Sequence, residues 1–369
     1  MLSINIPKHA TPDQYELSEV PSLAVERPTD ILIKVHAASI NPIDVKKASG
    51  ATKLVLRDSF PYKIGYDCAG TVVNTGSQVT RFKAGDEVFV RLPECHRGSW
   101  SELARSTEEF VALKPKGLTM EDAASIPLTS MTPLQALGVM KAISKEKLFL
   151  YLLGVGFSQI PLLQIGCLPC HSGWNWPFRM SASKKYFQSW QSDHHRFHRQ
   201  SAQGEGVVDE IIDYTKSDPK AVIPPKSVDF IFDTTSSAMA YLSLMRPNGA
   251  IVTVSILTSG DVLQNSSVMR RSPDKQDKAT VPFPIRISLN AMDRIRVARA
   301  SRYGVKYSSI FLEPNAIDLD SIRQWVEAGK LSTIVGTRLD FKDIEAVRNA
   351  SQVVFDGRGG VGKSVIVFV

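Results

Sequence analysis

A chain of 369 residues with 43% hydrophobic and 22% charged residues fits about two domains of ordinary globular composition. General disorder and collagen-like structure are excluded. The formal net charge is +7, but Lys and Arg are spread along the chain, so basicity alone does not indicate a nucleic-acid partner.

Cys68, Cys95, Cys167 and Cys170 are the four cysteines, too few for a disulfide scaffold, and a reducing compartment is expected. The opening MLSINIPKHATPDQYELSEV shows no basic region followed by an apolar run. A cytoplasmic location is therefore expected.

Residues 1–120 read as β-rich. Ile31–Val35 is an apolar strand followed by a turn at Asn41-Pro42, and glycine turns introduce strands at Gly65–Val73 and Gly85–Val90. Thr119 is placed to cap a helix with Glu121 and Asp122 in its first turn. Val228–Phe232 is a continuous apolar run, as in a strand buried on both faces. Ala238–Leu244 suits a helix, Pro247-Asn248-Gly249 a turn and Ala250–Ser255 the next strand, a rhythm that predicts a parallel sheet. The polar run 260–281 is expected to be an exposed loop. Ile317–Glu327 is amphipathic, Gly329 is placed to end that helix, and Ser364–Val369 reads as a final strand.

The stretch 147–203 differs from the rest. It holds three of five Trp, four of seven His and two of four Cys, with Asp193 as its one acid, and neither strand nor helix periodicity persists through it. It is expected to be irregular.

Several segments carry a resemblance. Asn41-Pro42-Ile43-Asp44 has an N-P-x-D pattern, Gly65-Tyr66-Asp67-Cys68-Ala69-Gly70-Thr71-Val72 a G-x-D-x-A-G-x-V pattern, and Gly85-Asp86-Glu87-Val88 a G-D-x-V turn. Ile126–Leu137, Phe232-Asp233-Thr234, Arg246-Pro247-Asn248-Gly249 and Glu327-Ala328-Gly329-Lys330-Leu331 follow in order. Together they resemble the medium-chain dehydrogenase/reductase superfamily, in its zinc-independent quinone oxidoreductase branch.

The resemblance implies an α/β fold, a GroES-like β domain plus a Rossmann domain with a doubly wound parallel sheet. The implied parts are 1–126 and 313–369 for the first domain and 127–312 for the second. It also implies hydride transfer from NAD(P)H to a quinone, enone or carbonyl, with the cofactor supplying the chemistry. A small-molecule substrate and a monomer or homodimer are expected, with no nucleic acid and no membrane partner.

Zinc is not expected. Zinc-dependent relatives place Cys where this chain has Asn41, and His-Glu where it has Tyr66-Asp67. Cys95-His96 has no sequence neighbour that completes a tetrahedral set, and Cys167 and Cys170 lie in the anomalous stretch. Gly357–Ser364 fits the P-loop pattern G-x-x-x-x-G-K-S, but only five apolar, β-prone residues follow, so no phosphate-binding helix starts there and a turn before the last strand is expected.

A Rossmann domain needs a strand, a glycine turn and a helix just after Lys147. Gly154-Val155-Gly156-Phe157-Ser158-Gln159 lacks the third glycine. The genetic code supplies an explanation. Read one nucleotide later, Trp174, Trp176 and Trp190 with their next residues all become glycine, because Trp has the single codon TGG. Ser172–Trp176 then permits L-G-G-T-G, and Trp190–Ser201 permits a β-branched run leading into V-S-T-A-K. Residues 172–203 are read as an out-of-frame translation, with 148–164 as translated intron. The rival for 148–168 is a membrane segment, which Gln159, Pro161 and Gln164 weaken. Without the glycine turn the alternative function is a catalytically silent family member.

The family's cleft implies site residues. Asn41 and Lys46 are candidate catalytic residues, Lys46 as proton donor or substrate contact, with turn chemistry and a solvated lysine as the bland readings. Thr132 is a candidate for a hydrogen bond to the nicotinamide, with helix capping before Pro133 as its rival. Asp44, Thr132, Tyr214, Thr234 and Ser255 are the cofactor-binding candidates, although core packing competes for Tyr214. NADP is preferred to NAD because V-S-T-A-K in the shifted frame has no acid for a ribose hydroxyl.

Overall fold

The computed structural model describes residues 1–56, 58–143, 149–152, 186–188, 210–212, 218–254, 258–272, 277–358 and 362–369. Everything below concerns these residues.

The amino-terminal part is built from two sheets. Strand Leu2–Ile6 pairs antiparallel with Glu16–Glu19 and with Tyr62–Lys63. The larger sheet runs in the order Val335–Asp340, Lys363–Val367, Asp30–Ser39, Asp67–Thr75, Glu87–Arg91 and Val111–Leu113, with Leu103–Thr107 added against Asp30–Ser39. The long strand Asp30–Ser39 is its hub. One edge pairs with Asp67–Thr75, and the other is divided between Leu103–Thr107 over residues 30–34 and Lys363–Val367 over residues 37–39. The carboxyl-terminal strand therefore closes a sheet begun by the first hundred residues. Ile4, Ile31, Ile33, Val72, Val88, Val90 and Trp100 form the core below it, each at most 1% exposed.

The second part carries a parallel sheet of six strands, in the order Glu210–Ile212, Tyr186–Gln188, Phe149–Leu152, Val228–Asp233, Met245–Thr253 and Lys306–Ser309. Its central strands are apolar inside: Val228, Phe230, Ile231, Ala250, Ile251 and Val252 are all buried. The mixture of a GroES-like β part and helix-covered parallel sheet is the α/β class that the sequence indicated.

Thr119 caps its helix by accepting a hydrogen bond from the Asp122 amide, and Asn315 does the same for Asp318 at the start of Ala316–Glu327. That helix ends at Gly329, whose φ of +66° is the left-handed conformation glycine adopts without strain.

Four readings need correction. Ala238–Leu244 is two short 3-10 turns, Ala238–Ala240 and Leu242–Leu244, not a helix. The turn at 247–249 lies inside strand Met245–Thr253, where the register shifts and Asn248 takes φ +68°. The run 260–281 is no exposed loop among its described residues. It forms helix Gly260–Asn265, capped by Ser259, then a 3-10 turn, and it buries Leu263, Met269, Ala279 and Val281 against Leu56. The polar residues mislead because they alternate with these anchors. Finally, 148–203 is not irregular throughout: Phe149–Leu152 and Tyr186–Gln188 are adjacent strands of the parallel sheet. The glycine turn sought after Lys147, the frame-shifted run 172–203 apart from Tyr186–Gln188, and the apolar 153–168 lie outside the described residues. No described helix is long and apolar enough to cross a membrane.

Candidate active site

A cleft of about 460 Å³ opens between the two parts. Helix Pro42–Ala48 contributes Pro42, Ile43 and Lys46, helix Pro127–Ile143 contributes Leu128 and Thr132, and the carboxyl ends of the parallel strands contribute Thr234 and Val254. Open α/β sheets bind ligands at this edge. Ile310, Phe311 and Leu312 supply an apolar wall.

Three sequence candidates, Lys46, Thr132 and Thr234, meet in the cleft. The Thr132 hydroxyl donates to the Leu128 carbonyl one turn back, at 2.7 Å, in a helix that continues through Pro133, so it caps nothing. Thr132 still lines the cleft. Tyr214 and Ser255 lie outside the described residues.

Asn41 and Asp44 do not line the cleft. Both are fully buried beneath it, in a charged cluster. The Asp44 carboxylate accepts from the Asn41 backbone amide at 2.6 Å, which fixes the start of helix Pro42–Ala48. The Asn41 side chain turns away from the helix. Its Nδ2 donates to Asp67 Oδ2 at 3.1 Å, and its Oδ1 accepts from the Lys363 ammonium. Asp67 also accepts from the Leu128 amide at 3.0 Å, tying the antiparallel sheet to helix Pro127–Ile143. Arg91 places Nε 3.6 Å from Asp67 Oδ1, stacks over the Tyr66 ring at 4.1 Å, and reaches the cleft wall.

The cluster holds two carboxylates and two cations, nearly all out of contact with water. Burial raises the Asp44 carboxyl, and the neighbouring Asp67 raises it further. Burial likewise raises Asp67, against the pull of Arg91 and Lys363. Burial lowers the Lys363 ammonium despite both carboxylates. All three shifts favour the neutral forms over separated charges.

Arg91 and Lys363 were missed as site residues in the sequence. Arg91 stood at the end of the Gly85–Val90 strand with no motif around it. Lys363 stood in the P-loop pattern, read as a turn; in the structure Gly362 leads into the last strand, and Lys363 points into the cluster. Among the described residues no three His, Cys, Asp or Glu side chains are placed to hold a metal.

A nicotinamide end fits this cleft. Thr132 and Thr234 are hydroxyl-bearing residues of its lining, and Ile310, Phe311 and Leu312 give it an apolar side that matches a ring. The turn after Val228–Asp233 offers no spare amides from residues 235, 237 and 238, because the Asp233 carboxylate accepts from all three. The residues beyond Leu152, where the fold requires a pyrophosphate-binding turn, lie outside the described residues.

Comparison with known proteins agrees with this geometry. Residues 27–125 match the model of the alcohol dehydrogenase GroES-like domain, and 208–366 that of the zinc-binding dehydrogenase domain. The chain is 26% identical over 353 residues to the mitochondrial NAD(P)H oxidoreductase RTN4IP1 of Danio rerio, covering 89% of this chain and 82% of that protein. It is 42% identical to 2-methylene-furan-3-one reductase of Solanum lycopersicum over 134 residues, 34% of each protein. Human RTN4IP1 is matched over 32% of its own length, so the chain spans only about a third of some curated relatives. Among solved structures, the quinone oxidoreductase of Coxiella burnetii superposes with a TM-score of 0.74 at 20% identity, covering 100% of this chain and 99% of that one. The Escherichia coli quinone oxidoreductase complexed with NADPH superposes at 0.70 and 18% identity, covering 100% of both chains. The fold and the cleft define an oxidoreductase architecture. The chain belongs to the medium-chain dehydrogenase/reductase superfamily and is quinone oxidoreductase-like.

Proposed function

We propose that the chain is the scaffold of an NADPH-dependent reductase acting on a quinone, enone or carbonyl without zinc. The observation that carries this reading is the meeting of Lys46, Thr132 and Thr234 in one cleft at the carboxyl edge of the parallel sheet. A nicotinamide bound there supplies the hydride. Thr132 and Thr234 orient its ring, the Ile310–Leu312 wall excludes water, and Lys46 holds a proton at Nζ for the reduced oxygen or carbon. Asn41 and Asp44 act as positioning residues, because their hydrogen bonds fix the helix that presents Lys46.

A second reading, a silent member, is favoured by one sequence feature: Trp174, Trp176 and Trp190 stand where glycines should let amides approach phosphate. Two proteins separate the readings. The chain as printed is compared with one carrying the shifted frame across 172–203, joined to Lys147 and Gly204. NADPH binding is followed by fluorescence, and turnover with 1,4-benzoquinone and 3-buten-2-one. The shifted version is expected to bind at micromolar concentration and turn over, free of stoichiometric zinc by metal analysis, and the printed chain to bind poorly or not at all. Failure of both versions sinks the reductase reading. Tight binding by the printed chain, with a transcript that encodes it uninterrupted across codons 140–210, sinks the frame reading.

A further inference from the structure

A second cavity, about 730 Å³, lies between residues 53–56, 58–59, 94–95 and 97 on one side and 268–271, 279–280 and 282 on the other. It shares no lining residue with the first cleft, but one helix serves both. Lys46 lines the first cleft, while the ammonium of Lys47, the next residue, reaches Glu94 and Asp58 in the wall of the second.

The negative charge in this wall is already matched. Glu94 meets Lys47, Arg97 at 2.9 Å and the Tyr66 hydroxyl at 2.8 Å. Asp58 meets Arg97 at 3.3 Å, Lys47 at 3.6 Å and His9 at 3.7 Å. Two carboxylates therefore face two full cations. Lys53, Arg270 and Arg271 come in addition, and Glu109, which is not part of the lining, meets Arg270 at 3.4 Å. The wall thus carries surplus positive charge, and concave low-dielectric walls focus such a field. Ser59 and Thr280 add hydroxyls, and the apolar part of the lining comes from Leu56 and Met269, buried members of one cluster, with Val55 and Val268 packed against it. Cys95 also lines the cavity, but burial pushes its thiol up to about 11, so it is protonated and recognition is non-covalent.

We infer that this cavity is a binding site for a small organic anion with an apolar body. The head, a carboxylate or a phosphate monoester, meets Lys53, Arg97 and Arg271, and the body lies along Leu56, Val268 and Met269. Its walls come from both halves of the chain, so an occupant ties residues 53–56 and 58–59 to 268–271, 279–280 and 282 and steadies the helix that presents Lys46. The volume suits a ligand of ordinary drug or metabolite size.

Calorimetric titration of the purified full chain, without nicotinamide, tests this. The probes are octyl phosphate, octanoate and octanol. Saturable one-to-one binding of octyl phosphate or octanoate is expected, with octanol at least about tenfold weaker, and the responding head group identifies the source of the charge. The exposed pair Lys53→Glu with Arg271→Glu should weaken binding at least about tenfold. Lys53→Ala with Arg271→Ala carries the same test if the reversal disturbs folding, which circular dichroism reports. Lys46→Glu, in the other cleft, should leave the affinity within about twofold. The inference is overturned by absence of saturable binding, by octanol matching the anions, by unchanged affinity in the alanine pair, or by loss of binding in Lys46→Glu. None of these outcomes depends on the reductase reading.

Discussion

The two sheets treat buried carboxylates differently. In the parallel sheet Asp233 is satisfied by the backbone two to five residues ahead, and Asp229 by Arg246 on the neighbouring strand, 17 residues away. In the antiparallel part, Asp67 depends on Asn41 and Leu128, and Asn41 in turn on Lys363, 322 residues later. Glu94 depends on Lys47 and Asp58 on Arg97. Local satisfaction makes a sheet that only needs packing. Distant satisfaction makes a region whose charges hold separate chain segments in one arrangement, and both cavities open on that region.

The sharpest break in this contrast is Lys363→Met. It leaves Asp44 and Asp67 buried with Arg91 as their remaining cation. Losing Lys363 also leaves the buried Asn41 Oδ1 without its donor, and denaturant unfolding should show a loss of about 3 kcal/mol. Lys363→Met combined with Asp67→Asn should recover part of it; strict additivity of the two single losses would refute the coupling.

Acid provides the next test. Burial, with Arg105 nearby, holds the His96 imidazole down at about 4, against an ordinary value of 6.5. Between those values the unfolded chain takes up a proton that the folded chain refuses. Stability should therefore fall as pH drops from about 6.5 to about 4, by an amount of order 2–3 kcal/mol, and His96→Gln should flatten that limb. Burial alone would raise Glu94, but Lys47 and Arg97 outweigh it and hold the carboxyl below its ordinary range. Its contribution is present above about 4.5 and is lost as pH falls through the lowered value, adding to the same acid limb. A melting temperature independent of pH between about 6.5 and 4 would contradict the His96 account, and one that stays flat as pH falls below about 4.5 would contradict the Glu94 account.

In the cleft, Thr132→Val removes a hydroxyl while nearly keeping its shape. About tenfold weaker NADPH binding by the shifted-frame protein is expected, near the 1.4 kcal/mol of one well-placed hydrogen bond, with melting temperature almost unchanged. Unchanged affinity would remove Thr132 from the binding residues. The smallest effect belongs to the surface. Arg323 bridges Glu327 one turn along its helix at 3.3 Å, and Arg323→Ala should cost less than about 0.5 kcal/mol in the same unfolding assay.

The difference in range also separates what was legible in the sequence from what was not. Val228–Phe232, the capped helix at Thr119 and the helix ending at Gly329 rest on periodicity, capping and backbone conformation, which act within about one turn or strand and are written in adjacent residues. Motif order carried the α/β class, and Lys46, Thr132 and Thr234 could be nominated from the segments that hold them. Where anchors are interleaved with polar residues, as in 260–281, the same local reading fails, because only contact with Leu56 shows which side is inside. Pairing of Lys363–Val367 beside Asp30–Ser39 decided that a lysine from a phosphate-loop-like pattern would meet Asn41, and folding alone brought Lys47, Asp58, Glu94 and Arg97 together. Electrostatic partners are chosen by distance in space and by the loss of water around them, and neither quantity exists along a linear sequence.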